Sequence, residues 1–249
     1  MANENIFTTK VREYAVSRPS YAPKAIDRIV STMLKEGDSI ADIGSGIGIF
    51  SKEFLLRGYE VFCVEPNDAM RLEAEKAYGG NASFHSISST AEQTNLPANS
   101  ISLVTAASAF HWFDIHSFYK ECKRILKHNG IVCIVANARI YDSFTEKQHQ
   151  ICKQYCPSYV SLTHGVDKVL RKADAFFKGD FCLERFYYPL HYTKQKFIAR
   201  SLSSSYAPEK DTDYYKGYIH SLQALLDDTF PDDGIVIENE TVMLWGKLS

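Results

Sequence analysis

Three glycines at alternate positions, Gly44, Gly46 and Gly48, stand between an apolar run and a stretch with helical spacing, and a carboxylate, Glu65, closes the next apolar run. Glycine lacks Cβ, so the chain can turn there with positive φ and a ligand can lie directly against peptide groups. A helix predicted behind the turn presents unpaired N–H groups and the positive end of its dipole. A carboxylate at the carboxyl end of the second strand of such a unit can accept both hydroxyls of a ribose. Asp42, two residues before the first glycine, repels a pyrophosphate and favours a cationic ligand end. The spacing is G-x-G-x-G, with the β-branched Ile49 after the last glycine, which departs from the G-x-G-x-x-G/A of dinucleotide sites. No lysine followed by serine or threonine closes the loop, so it is not a P-loop. The ligand that fits this chemistry is a nucleoside without phosphates.

Strands are predicted over 39–43, 60–64, around 82–86, 101–106 and 130–136, with helices over 22–35, 48–57, 67–77 and 116–126. This alternation argues an α/β fold with a parallel, doubly wound sheet. After 137 the rhythm changes. Residues 138–180 are polar and helical in pattern and read as an inserted lid. A strand pattern follows over 182–191, then helices over 193–203, with Thr193 as N-cap, and over 214–229, and a final strand or hairpin over 234–247. One domain is expected: an N-terminal lid and helix (1–37), a ligand-binding core (38–137), the helical insertion (138–180) and C-terminal strands and helices (181–249).

A net charge of −2 without any long basic run disfavours a nucleic-acid partner, whose phosphates need neutralising. No basic-then-apolar leader pattern opens the sequence and no apolar run is long enough to cross a bilayer, so a cytoplasmic protein without a membrane partner is expected. Cys63 and Cys133 fall within strands, where they act as small apolar residues. Cys152 and Cys156 lie four residues apart with His149 and His164 nearby, but no C-x-x-C pair exists, and no metal is expected.

On the glycine turn, Asp42 and Glu65, the chain resembles the class I S-adenosylmethionine-dependent methyltransferases, most strongly over 38–136. More narrowly it is similar to their small-molecule branch of trans-aconitate-type and ubiquinone-biosynthesis-type enzymes. Residues 88–97 resemble the adenine-side loop of that family, 99–104 the entry to its fourth strand, and Ala109-Phe110-His111-Trp112-Phe113 the motif behind that strand. Residues 126–131 resemble the turn before its fifth strand, with His128 and Asn129 replacing the usual Pro and Gly.

The resemblance implies a Rossmann-like, mostly parallel seven-stranded sheet with an antiparallel edge strand, S-adenosyl-L-methionine as cofactor, and methyl transfer to a small-molecule acceptor by in-line displacement. A monomer or a homodimer is expected. Asn67 and Met70, then Thr90, Ala91 and Glu92, are implied on the adenine side, and Ala107 beyond the fourth strand. Tyr14, Arg18 and Tyr21 match a Y-x-x-x-R-P-x-Y stretch that folds over the ligand, with Arg18 suited to the methionine carboxylate. His111 is the candidate proton acceptor or hydrogen-bonding partner of the methyl acceptor, and Trp112 a wall near the sulfonium. Tyr141, Arg139, His164, Arg200, Ser201, Ser204 and Tyr206 are candidates for the acceptor pocket, and an arginine at 200 favours an anion.

Other readings stay open at this point. An NAD(P)- or flavin-dependent oxidoreductase has Ile49 and the glycine spacing against it. A protein that binds S-adenosylmethionine without turnover is compatible with the absence of a strong base. A nucleic-acid methyltransferase that acts on amines carries [DNS]-P-P-[YF] after the fourth strand, where this chain has Ala106-Ala107-Ser108-Ala109.

Overall fold

The computed structural model describes residues 18–162 and 164–248, apart from the side chains of 164, 165 and 167. Strand β1 (Ser39–Ile43) is buried at every residue, as its unbroken apolar pattern requires of a strand covered on both faces. It pairs in parallel with β2 (Glu60–Val64) on one side and β4 (Ile101–Ala107) on the other. Strand β3 (Phe84–Ile87) extends the sheet beyond β2, and β5 (Leu126–Arg139) extends it beyond β4. The order is completed by β9 (Asn239–Gly246) and then β6 (Cys182–Tyr187) at the edge, with antiparallel pairing on both sides of β9. The sheet has seven strands, as expected.

The period of two along each strand divides the core into two layers. Ile40, Val61, Leu103, Val135 and Met243 face α1 (Pro23–Met33) and α2 (Ser51–Leu55). Ala41, Ile43, Val104, Ile134 and Val242 face α4 (Ile115–Ile125) and α6 (His164–Phe177). Between β2 and β3 runs α3 (Asp68–Tyr78). Asn67 caps it by accepting from Met70 N at 3.0 Å, and Asp114 caps α4 by accepting from Ser117 N at 2.9 Å. Each cap satisfies an N–H that the first turn leaves unpaired.

The helix expected over 48–57 is the short α2, preceded by a turn, because the three glycines hold φ at +68°, +57° and +81°. The two helices of 138–180 part company. Helix α5 (Ser143–Tyr155) packs with α8 (Asp213–Thr229), and α6 packs on the main core through Val169, Ala173, Phe176 and Phe177. A cap forms above the sheet from α5, α8, α7 (Lys194–Leu202) and the hairpin-like pair β7 (Leu190–Thr193) and β8 (Gly234–Ile237). Phe144, Phe197, Leu226 and Ile235 are among its buried apolar contacts. Thr193 caps α7 through Lys196 N at 3.2 Å, as its position predicts. No helix among the described residues is long and apolar enough to cross a membrane.

Candidate functional site

The chain leaves the sheet in opposite directions from β1 and β4, and the crevice at their carboxyl ends is where open α/β sheets hold ligands. The turn after β1 is pinned to β2: Gly44 N and Ser45 N donate to Val64 O at 2.8 and 3.2 Å. Gly46 N donates to Glu65 Oε2 at 2.9 Å, and Asn67 N to Glu65 Oε1 at 2.8 Å. Glu65 is therefore a fixed carboxylate, only 7% exposed, that joins the glycine turn to the start of α3. These turn N–H groups are spent on the protein, so the glycines supply room more than donors. A Cβ on Gly44 would stand 2.6 Å from Ala109 Cβ, and one on Gly48 2.7 Å from the Tyr78 ring, whereas at Gly46 the nearest atom is Met70 Sδ at 3.7 Å.

Asp42 is fully buried at the end of β1. It accepts from Ser51 Oγ at 2.6 Å and Thr105 Oγ1 at 2.9 Å. Burial raises its pKa to about 6, against the pull of those two hydroxyls. It thus ties β1 to α2 and β4 while lining a cavity of about 60 Å3 together with Gly44, Ser45, Ile49, Ala107 and Tyr21. The Ser45 hydroxyl is buried and has no hydrogen-bond partner among the described residues. Tyr21 packs edge-on against Phe50 and donates to Ser108 Oγ at 3.0 Å. Ser108 holds φ at +56°, a left-handed conformation uncommon outside glycine.

A second cavity, of about 200 Å3, lies under the cap and is lined by His111, Trp112, Arg139, Gln148, Arg200 and Tyr206 among others. Arg18, Ser108, Asn137 and Arg200 line both cavities and so form their common wall. Arg18 donates to Ser203 O at 3.4 Å, fastening the N-terminal segment to the loop after α7. His111 and Trp112 sit on a single 3-10 turn with ring centroids 4.8 Å apart. Lys172 of α6 holds that turn by donating to Phe113 O at 2.6 Å and His111 O at 3.2 Å.

Asp42, Gly44, Gly46, Gly48, Glu65 and Met70 thus gather at the turn, and Ala107, Arg18 and Tyr21 at the smaller cavity. His111, Trp112, Arg139, Arg200, Ser201, Ser204 and Tyr206 come together under the cap. Glu92 directs its carboxylate to Asp114 N at 3.0 Å, joining the loop of Thr90 and Ala91 to the start of α4. Tyr141 requires a correction. It is 56% exposed, lines neither cavity and donates to Glu146, because it lies just past the end of β5. Tyr14 lies outside the described residues, as does the side chain of His164. Sequence reasoning missed Ser45, Asn137 and Gln148. Polar residues of these types carry no spacing signal, and only packing brings them to the crevice. No group of three or more metal-ligating side chains occurs among the described residues.

Residues 41–134 match the family model described as a methyltransferase domain. A protein of Dictyostelium discoideum provisionally named a methyltransferase is 33% identical over 49% of this chain and 45% of its own length. The chain spans about half the length of the curated relatives first matched. Among solved structures, a protein of Anaeromyxobacter dehalogenans provisionally described as a type II methyltransferase superposes with a TM-score of 0.64. That match has 19% identity and covers 92% of this chain and 97% of that one. A phosphoethanolamine N-methyltransferase of Haemonchus contortus, solved with phosphomonomethylethanolamine and S-adenosylhomocysteine, gives 0.56 at 17% identity, over 98% of this chain and 58% of that one. At these identities the structural likeness is one of fold. The segment matched contains the whole of the glycine turn, while the cap and its arginines lie outside it.

Proposed function

We propose that this protein transfers a methyl group from S-adenosyl-L-methionine to a small-molecule acceptor held under the cap. The observation that carries this reading is the pair of cavities with a common wall, one against the glycine turn and one beneath the cap. The residues fit the cofactor. Gly46 leaves space above Met70, Glu65 is a rigid buried acceptor at the end of β2, and the Ser45 hydroxyl points to a polar ligand group. Such orphaned hydroxyls are uncommon in native interiors. When bound, S-adenosylmethionine supplies an electrophilic methyl on a sulfonium.

Glu65 would hold the ribose hydroxyls, with Met70 and the loop of Thr90 and Ala91 beside the base. Asp42 would favour the ligand's ammonium, and Arg18 and Tyr21 would close over the methionine end. His111 would hydrogen-bond the acceptor or take its proton, and Trp112 would exclude water. Alignment and exclusion of water are the main requirements of an in-line displacement, and an ionised acceptor needs no base.

Calorimetry with S-adenosylhomocysteine tests the cofactor assignment. The wild-type protein is expected to bind, and Glu65→Ala to bind at least about tenfold more weakly, since each lost charged hydrogen bond is worth roughly 1.5–3 kcal/mol. No heat with the wild type, or an unchanged dissociation constant in the variant, overturns the assignment. Transfer of labelled methyl from the cofactor into a metabolite extract separates a transferase from a silent binder, which would show affinity and no product.

A further inference from the structure

We propose that Arg139 and Arg200 form an anion-binding subsite, by which the protein selects acceptors that carry a carboxylate or phosphate group. This rests on the methyl-transfer reading above and names the acceptor's class. The cavity under the cap is lined by three arginines, Arg18, Arg139 and Arg200, and among the described residues by no Asp or Glu. Arg139, the last residue of β5, donates to Gln148 Oε1 and lies with its guanidinium 5.6 Å from the centre of the Phe197 ring. Neither Arg139 nor Arg200 reaches a carboxylate among the described residues. The nearby Asp142 is turned to the start of α5, where it accepts from Thr145 N at 2.7 Å.

Electrostatics agree with this geometry. Burial, and then the positive charge of Arg200, push the Arg139 guanidinium down to about 10, and Asp142 acts on it more weakly than Arg200 does. Arg139 stays cationic at neutral pH. Like charges facing one partly buried space repel, and an anion placed between them relieves that cost. Arginine forks also match the planar oxygens of a carboxylate or phosphate.

The identity of residue 148 makes the argument specific. Gln148 is buried and orients Arg139 with a neutral amide. A glutamate there would hold the guanidinium equally well and cancel its charge. Gln148 leaves the charge available to a ligand. Ser205 and Tyr206 line the same cavity and bring further hydroxyls to it.

The test is calorimetry on the full chain at low salt with glutarate and, separately, inorganic phosphate, each with and without saturating S-adenosylhomocysteine. At least one anion is expected to bind the wild-type protein. Binding of glutarate alone assigns a carboxylate acceptor, and of phosphate alone a phosphorylated one. Arg139→Gln and Gln148→Glu are each expected to weaken anion binding by about tenfold or more, the loss of a charged contact. Gln148→Glu nearly conserves side-chain size, and its unfolding midpoint reports whether the cap is intact. If neither anion binds the wild type, or if both variants bind anions as well as it does, the subsite is overturned. If S-adenosylhomocysteine fails to bind while the anion binds and responds to both variants, the methyl-transfer reading falls and the anion subsite stands.

Discussion

The two cavities share a wall but are built by different rules. The smaller is centred on one local unit, the end of β1 and the glycine turn from Asp42 to Phe50, with backbone conformation as its main instrument, and is closed by Tyr21, Ala107 and the shared wall. The larger is gathered from remote segments, Arg18, His111, Arg139, Gln148, Arg200 and Asn239, by the packing of the cap on the sheet. The smaller carries the buried carboxyl of Asp42, whereas the larger has no Asp or Glu in its lining among the described residues; Arg18 and Arg200 reach both. On the proposed reading, substitutions under the cap away from the shared wall, as at Arg139 or Gln148, change the acceptor half and leave the glycine turn untouched.

The largest expected effect separates steric roles within the turn itself. Gly44 and Gly46 both hold positive φ, which costs an alanine about 1–2 kcal/mol. At Gly44 the added methyl would also stand 2.6 Å from Ala109 Cβ, and such overpacking adds about 1–3 kcal/mol. Denaturant unfolding of Gly44→Ala should therefore show a loss of about 2–5 kcal/mol, against about 1–2 for Gly46→Ala. The same Gly46 methyl projects towards Met70, so Gly46→Ala should lose more in affinity for S-adenosylhomocysteine than Gly44→Ala loses relative to its own folded fraction. Equal destabilisation by the two variants would remove the distinction between packing glycines and an open one.

The same contrast explains what could be read from the sequence. The order of elements, the continuous burial of β1, the cap at Thr193 and the placing of Asp42 and Glu65 follow from local periodicity and spacing, whereas the cap at Asn67 was not read. Helix α2 came out shorter than its apolar spacing suggested because glycine conformation, which carries no periodicity, extends the turn to Phe50. Under the cap, Arg139, Arg200 and Tyr206 were legible as residue types, and Tyr141 was misplaced. The strand ends at Arg139, so the period of two that would place Tyr141 on the same face no longer holds two residues on. Gln148 was invisible because its meaning depends on α5 packing beside β5. Glu92 has its local contact set by Asp114, the cap of a helix that follows the next strand.

A second prediction sharpens the difference in charge between the halves. The carboxyl of Asp42 is raised from 3.8 to about 6 by burial. The folded protein thus binds that proton more readily than the unfolded chain, and protonated Asp42 favours folding. This contribution is complete below the ordinary carboxyl range and is lost as pH rises through about 6, a change on the order of 3 kcal/mol. Asp42→Asn should gain stability relative to the wild type by that amount between about pH 4 and pH 7, while binding S-adenosylhomocysteine less well. Glu121 works in a separate window. Although buried, it is held down to about 2 by Arg124 and Thr94, so its contribution is kept above the ordinary carboxyl range and lost only at more acid pH. A stability difference between Asp42→Asn and wild type that stays flat from pH 4 to 7 would show that Asp42 is charged at no cost.

The smallest effect concerns the 3-10 turn of Phe110–Trp112, which brings His111 and Trp112 to the larger cavity. Its backbone is closed by Trp112 N to Ala109 O at 2.9 Å and Phe113 N to Phe110 O at 3.2 Å, so the turn should persist without outside help. What fixes its tilt towards the larger cavity is Lys172, whose ammonium spans the carbonyls of His111 and Phe113. Burial and the neighbouring Lys168 lower the pKa of Lys172, against the opposing pull of the Asp114 and Glu92 carboxylates. Lys172→Met keeps the aliphatic stem and removes both bonds, a loss of roughly 1–3 kcal/mol in positioning and stability together. The expected signature is selective: a raised KM for the acceptor once one is found, and affinity for S-adenosylhomocysteine within about twofold of wild type, since 1.4 kcal/mol would already be tenfold. Lys172→Arg, which retains the charge and can still reach a carbonyl, should restore part of the loss. Equal damage to cofactor and acceptor binding would mean that the turn is shared by both cavities, and that the acceptor half cannot change independently of the cofactor half.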